Sequence, residues 1–221
     1  MTPNLERLKE KIKAARSRAR MRGDHELNEH MDRHQDPRKA AVMILLVPHK
    51  SGFTVILNER SDNLPHHPGQ ISFPGGKMEK GDKSIIATAL RETHEEIGIP
   101  GKDVTVIGVL DTYVTRTGFE ITPVVGILKP PVKFKINKNE VKHAFEVPLK
   151  FLTNPNTLKL EHAEFKGKTY RFMAWEYQSW RIWGATANIL RNLIEHLEDE
   201  CEQSLKQSKS AEQPGWTKRK R

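Results

Sequence analysis

Cysteine is nearly absent: Cys201 stands alone among 221 residues. That excludes an internal disulfide framework and a multi-cysteine zinc site, and it gives a covalent thiol mechanism no support. Long apolar runs are missing too, since none approaches the roughly 20 residues of a membrane span. The charged start of the chain is followed by more charge rather than by an apolar stretch, so a signal-peptide pattern is also lacking. No internal repeat is evident. The expectation is a cytoplasmic protein without a membrane partner.

What is present is a soluble composition, 36% hydrophobic and 29% charged, with a net charge of +9. Such an excess raises the question of nucleic acid, but its distribution answers differently. Residues 1–40 carry 11 basic and 7 acidic side chains, and residues 202–221 carry 6 and 2, whereas residues 41–201 hold 20 and 19. The positive charge belongs to the ends, so no nucleic-acid groove is expected. Three parts follow: residues 1–37, a basic amphipathic helix and polar linker; residues 38–200, the folded domain; residues 201–221, a polar basic tail. Leu5, Leu8, Ile12 and Ala15 recur at helical spacing, which predicts a helix lying on the domain or on a partner subunit. A homodimer is left open.

Within the domain, AVMILLV (41–47) and FTVILNER (53–60) read as buried strands joined by a turn at HKSG. A loop holding Pro65, Pro68, Gly69, Pro74, Gly75 and Gly76 leads to a helix over 84–97. Further strands are expected at 104–110, 121–128 and 170–177, and a last helix at 185–197. This order predicts an α/β or α+β sandwich.

The informative stretch is GGKMEKGDKSIIATALRETHEEIGI, residues 75–99. Ile86, Ala89, Leu90, Thr93 and Ile97 form one apolar stripe, and Gly98 is the expected C-cap. Glu92, Glu95 and Glu96 crowd the last turn, where they repel one another and face the negative end of the helix dipole. Arg91 offsets only part of this. A solvated acidic face is the plain alternative; the adjoining GG loop favours a Mg²⁺ or Mn²⁺ site that admits phosphate near the backbone. GKMEKGDKS (76–84) imitates a phosphate-binding P-loop, but an extra residue separates Gly81 from Lys83. His30 and His34 make no convincing zinc constellation.

These residues resemble the Nudix hydrolase box, G-x5-E-x7-R-E-U-x-E-E-x-G-U, from Gly76 to Ile99. Thr93 stands where an apolar residue is usual, Asp82 where Glu is, and eight residues rather than seven precede Arg91. Upstream, LNERSDNLPHHPGQISFPGG (57–76) is similar to the extra motif of the coenzyme A diphosphatase branch, with Asn58 for Thr and Pro65 for Arg. ITPVVG (121–126), NEVKHAFEVPL (139–149) and IWGATANIL (182–190) also resemble that branch.

The resemblance implies a Nudix-type α/β/α sandwich with a mixed sheet, and cleavage of the diphosphate of coenzyme A or its thioesters. The alternatives are another nucleoside diphosphate derivative such as ADP-ribose or NADH, or a non-catalytic nucleotide-binding regulatory module. Glu92 and Glu96 are the expected ligands of Mg²⁺ or Mn²⁺, with Glu95 completing the cluster and Arg91 positioning a carboxylate. Glu140 is the candidate general base; its bland reading is a surface glutamate. Arg60, His67, Gln70, Gly75 and Gly76 are expected around the substrate, though Arg60 and His67 also admit structural readings. Tyr113, Phe119 and Trp183 are either pocket or core, and Asp111 is a weak site candidate.

Overall fold

The computed structural model describes residues 5–15, 22–28, 36–165 and 167–197. The expected tail at 201–221 and the pair His30 and His34 lie outside the described residues.

The chain opens with helix α1 (Leu5–Ala15) and a short strand β1 (Arg22–Gly23), then runs through a long hairpin of β2 (Arg38–His49) and β3 (Gly52–Arg60). Short strands β4 (Ile71–Ser72) and β5 (Gly75–Lys77) precede α2 (Ile85–Ile97). After it come β6 (Val104–Val109), β7 (Tyr113–Val114), β8 (Phe119–Leu128), β9 (Val141–Pro148) and the single turn α3 (Leu149–Leu152). A meander of β10 (Leu158–Phe165), β11 (Lys168–Tyr177) and β12 (Trp180–Trp183) leads into α4 (Gly184–Leu197).

The hairpin closes as its sequence predicts, with His49 opposite Gly52 and the glycine at φ 125°, a conformation side chains resist. β2 pairs in parallel with β8 and antiparallel with β3, so the nine-stranded sheet is mixed. Its continuous apolar run is explained by burial on both faces. Met43, Leu45 and Val47 point to one core with Ala89 and Ile97 of α2, while Ile44 and Leu46 point to another. That second core is closed by α4 through Leu190 and Leu193, by the meander through Trp175 and Ile182, and by Leu8 and Ile12 of α1. The result is the expected sandwich, with helices on both faces of a mixed sheet.

Two expectations change. Gly75 and Gly76 are not an open loop: they form β5, paired with Val42 and Ala41 of β2. Arg22–Asn28 is not linker either, since β1 pairs in parallel with β7 and Asn28 is buried. Sequence polarity hid this, because the segment is held by hydrogen bonds rather than by apolar contact.

Candidate active site

α2 begins at Ser84, whose hydroxyl accepts from the Ala87 amide at 3.1 Å, and ends at Gly98 with φ 72°. Thr93, unusual in an apolar stripe, is buried and donates its hydroxyl to the Ala89 carbonyl at 2.7 Å. The helix therefore presents Glu92 and Glu96 toward the sheet while Glu95 turns outward.

Arg91 is clamped from several sides. Its guanidinium donates to Asp82 at 3.0 Å through both Nε and Nη2, to Glu95 at 2.7 Å and to the Lys77 carbonyl at 3.2 Å. Glu92 lies 2.9 Å away. Asp82 also accepts from the Glu79 amide and the Thr88 hydroxyl. Hydrogen bonding by Arg91 holds the Asp82 carboxyl well below the usual range, and the Arg91 guanidinium is correspondingly harder to deprotonate. Asp82 thus holds Arg91 despite its shifted place in the box, and Arg91 positions carboxylates.

Glu96 is 3% exposed. Its Oε2 accepts from Asn58 Nδ2 at 2.9 Å and from the Gly75 amide at 3.3 Å. Burial pushes its carboxyl up to about 8, with Glu92 adding to the rise and Arg60 opposing it. Burial also raises Glu92, against the pull of Arg91. The glycines make room for this arrangement: a Cβ on Gly76 would lie 2.4 Å from Glu92 Oε1, and one on Gly75 would lie 2.4 Å from the Ala41 carbonyl oxygen.

Glu140 joins the pair from a later loop. The Asn137 amide bonds the Glu96 carbonyl at 2.9 Å, and Asn137 Nδ2 donates to Glu140 Oε1 at 2.9 Å. Like-charge repulsion from Glu140 reaches both Glu92 and Glu96. From the opposite side, the 61–70 loop is stitched by Arg60 N–H to the Gln70 carbonyl at 3.0 Å and by Ser61 N–H to the Glu140 carbonyl at 2.9 Å. Arg60, His67 and Gln70 line a cavity of about 560 Å³, as do Phe119 and Trp183. His67 is exposed, with φ 57°.

The structure thus brings together Glu92, Glu96, Glu140 and Arg60, and leaves Glu95 on the outer side with Arg91. Gly75 and Gly76 serve as spacers for β2 and Glu92, which replaces the expected phosphate-admitting loop. Tyr113 belongs to the core, and Asp111 is buried against Arg22 and His196. Sequence reasoning missed Asn58, whose signal was a polar residue inside an otherwise apolar strand, and Asp82 as the partner of Arg91.

Among the described residues no three His, Cys, Asp or Glu side chains converge into a closed metal shell. The donors present still fit a hard divalent cation. Mg²⁺ keeps several waters and takes one or two carboxylates, and Glu92 and Glu96 offer two on adjacent helical turns. Both resist ionisation as they stand, and a cation would relieve that. Asn58 Oδ1 and Arg60 Nε are buried without a hydrogen-bond partner beside them, a sign that the site is arranged for something it binds.

A carboxylate pair on a helix over a mixed sheet, with an arginine at its edge and a cavity beyond, suits a cation-assisted attack on an anionic phosphate ester or anhydride. The NUDIX domain profile matches residues 36–191. Curated relatives named as uncharacterized Nudix hydrolase NudL include one from Pectobacterium atrosepticum, 40% identical over 165 residues, covering 73% of this chain and 84% of the relative. Another, from Enterobacter, is 40% identical over 157 residues, covering 71% and 81%. Among solved structures, a C. elegans Ap4A hydrolase complex aligns over 50% of this chain and 80% of its own, at 19% identity and a TM-score of 0.44. The chain belongs to the Nudix hydrolase family. It is a pyrophosphohydrolase, and enzymes of this family generally use divalent metal ions. No helix among the described residues is long and apolar enough to cross a membrane.

Proposed function

We propose that the chain hydrolyses the diphosphate of coenzyme A or its thioesters, yielding 4'-phosphopantetheine or its acyl derivative and adenosine 3',5'-bisphosphate. The observation that carries this is the folding of the upstream motif onto the Nudix carboxylates. Its Asn58 bonds Glu96, its Arg60 lies in electrostatic reach of Glu96, and Arg60 also lines the large cavity. Arg60, a residue that matches the coenzyme A branch motif, supports reading that stretch as part of the site, while Asn58 holds Glu96 from a position where the motif has Thr.

Glu92 and Glu96 would hold Mg²⁺ or Mn²⁺, with Glu95 outside that pair; the ion, when bound, would screen the diphosphate charge and make phosphorus more electrophilic. Arg91 fixes the rotamers of Glu92 and Glu95, and Asn58 with the Gly75 amide orients Glu96. Glu140, steadied by Asn137, accepts a proton from the attacking water. The water oxygen bonds phosphorus, the bridging P–O bond breaks, and the departing phosphate takes the electron pair. Arg60 receives a diphosphate oxygen at the cavity mouth, while Gln70 and His67 shape that mouth.

One observation favours a different nucleotide: Pro65 stands where the resembling branch has arginine. Incubating purified protein with coenzyme A, acyl-coenzyme A, ADP-ribose, NADH and dinucleoside polyphosphates, in Mg²⁺ or Mn²⁺, separates the readings by product identity. Cleavage of coenzyme A to the two named products is expected. Efficient cleavage of another substrate with coenzyme A left intact defeats the assignment.

A further inference from the structure

Beyond Arg60, the cavity is walled by a piece of chain that the family match omits. Asp24 and Asn28 line it, yet both precede residues 36–191. The segment is firmly placed. Arg22 donates to Asp111 at 3.2 Å and to Glu195 at 2.5 Å. The Asp24 carboxylate accepts from the Tyr113 hydroxyl at 2.5 Å and from the Arg116 amide at 2.7 Å. Asn28 exchanges hydrogen bonds with the Arg171 backbone at 2.8 and 3.0 Å.

This wall consequently fixes the backbone of two arginines that also line the cavity, Arg116 and Arg171. The Arg116 guanidinium lies 5.4 Å from the centre of the Tyr170 ring. Phe172 and Trp183, 5.5 Å apart between ring centres, give the same cavity an aromatic side, and Trp183 keeps 38% of its surface exposed. The first turn of α4 lines it as well and adds the positive end of a helix dipole. Of the acids present, Asp24 is engaged as above and Glu164 accepts from Thr169. The volume falls within the range of small-molecule sites.

Two arginines and an aromatic side suit a nucleoside that bears a phosphate of its own, apart from the diphosphate at Arg60. A phosphate monoester carries about −1.5 to −2 at neutral pH and pairs well with guanidinium. We infer that this cavity holds the non-reacting nucleoside of the substrate, with Arg116 and Arg171 reading a phosphate monoester on its ribose. This rests on the coenzyme A reading, whose adenosine carries such a group, and it makes the Arg22–Asn28 segment a specificity element.

The test is binding by calorimetry, with Trp fluorescence as a second readout, using full-length protein and Mg²⁺. Adenosine 3',5'-bisphosphate is expected to bind about tenfold tighter than adenosine 5'-monophosphate, the worth of one good charge-assisted pair. In Arg116→Gln and Arg171→Gln that ratio falls toward one, and Arg171→Lys restores part of it. A merely structural role weakens both ligands alike and leaves the ratio in place. Equal affinities in the wild type, or a ratio preserved in both Gln variants, overturns the inference. Failure of the coenzyme A reading shows separately, as absence of coenzyme A cleavage by the wild type. The ratio of kcat/KM for coenzyme A over its 3'-dephospho form follows the binding ratio if both hold.

Discussion

Glu96 carries a charge that its burial opposes, and its hydrogen bonds show how it is managed. Asn58, fully buried, spends its amide on one carboxylate oxygen. Removing that bond frees the ligand to rotate, so Asn58→Ala is expected to weaken Mn²⁺ binding by about 10–100-fold, the usual effect of losing an orienting partner. A Mn²⁺ titration by electron paramagnetic resonance checks this, and unaltered affinity removes Asn58 from the positioning set. Gly76 tests the neighbouring ligand. An added methyl would occupy the place of the Glu92 carboxylate, so Gly76→Ala should lower kcat sharply while Tm moves little; the reverse pattern would make the glycine a folding residue. The glutamates and Arg91 were legible because charges recur at fixed helical offsets. Asn58 and Asp82 were not, because their partners are 38 and 9 residues away and no local pattern encodes such contacts.

At the scale of elements, legibility followed burial. β2, with both faces covered, and α2, with one clean stripe and both caps, stood out from composition alone. β9 did not: Val141, Phe145 and Val147 are buried, but the alternation is broken where its register with β3 shifts at Glu59 and Arg60. The short strands β1, β4, β5 and β7 contain two or three residues each, too few for any period to register. α1 was legible as amphipathic, though not its destination. Ile12 is completely buried, and a Cβ added to Gly108 would lie 2.7 Å from its Cγ2. The glycine is there because the helix comes so close. Ile12→Ala should therefore cost about 2–5 kcal/mol, lowering the denaturant midpoint although the residue lies outside the family match. A change within about 0.5 kcal/mol, the range of surface substitutions, would mean that α1 detaches readily.

For the molecule as a whole, the net charge of +9 was a poor guide, since the proposed function rests on buried negative charge. That charge sets a stability dependence with a definite sign. Glu96 is held at about 8 in the folded chain against 4.5 for the free side chain. Between those values the folded state binds more protons than the unfolded one, so stability falls as pH rises. The loss is on the order of a few kcal/mol across that window. A divalent cation reverses the preference, because it favours the ionised carboxylates and expels their protons on binding. In EDTA, Tm should decline from pH 5 to pH 8 more steeply for the wild type than for Glu96→Gln, in which the titrating group is absent. Adding Mg²⁺ or Mn²⁺ at pH 8 should raise the wild-type Tm and leave the variant nearly unmoved, while turnover of the variant collapses. The comparison reports Glu96 together with its coupling to Glu92, because every other titrating group is common to both proteins. Parallel pH profiles in EDTA would show that Glu96 ionises freely, and the case for a cation that offsets its burial would fall with them.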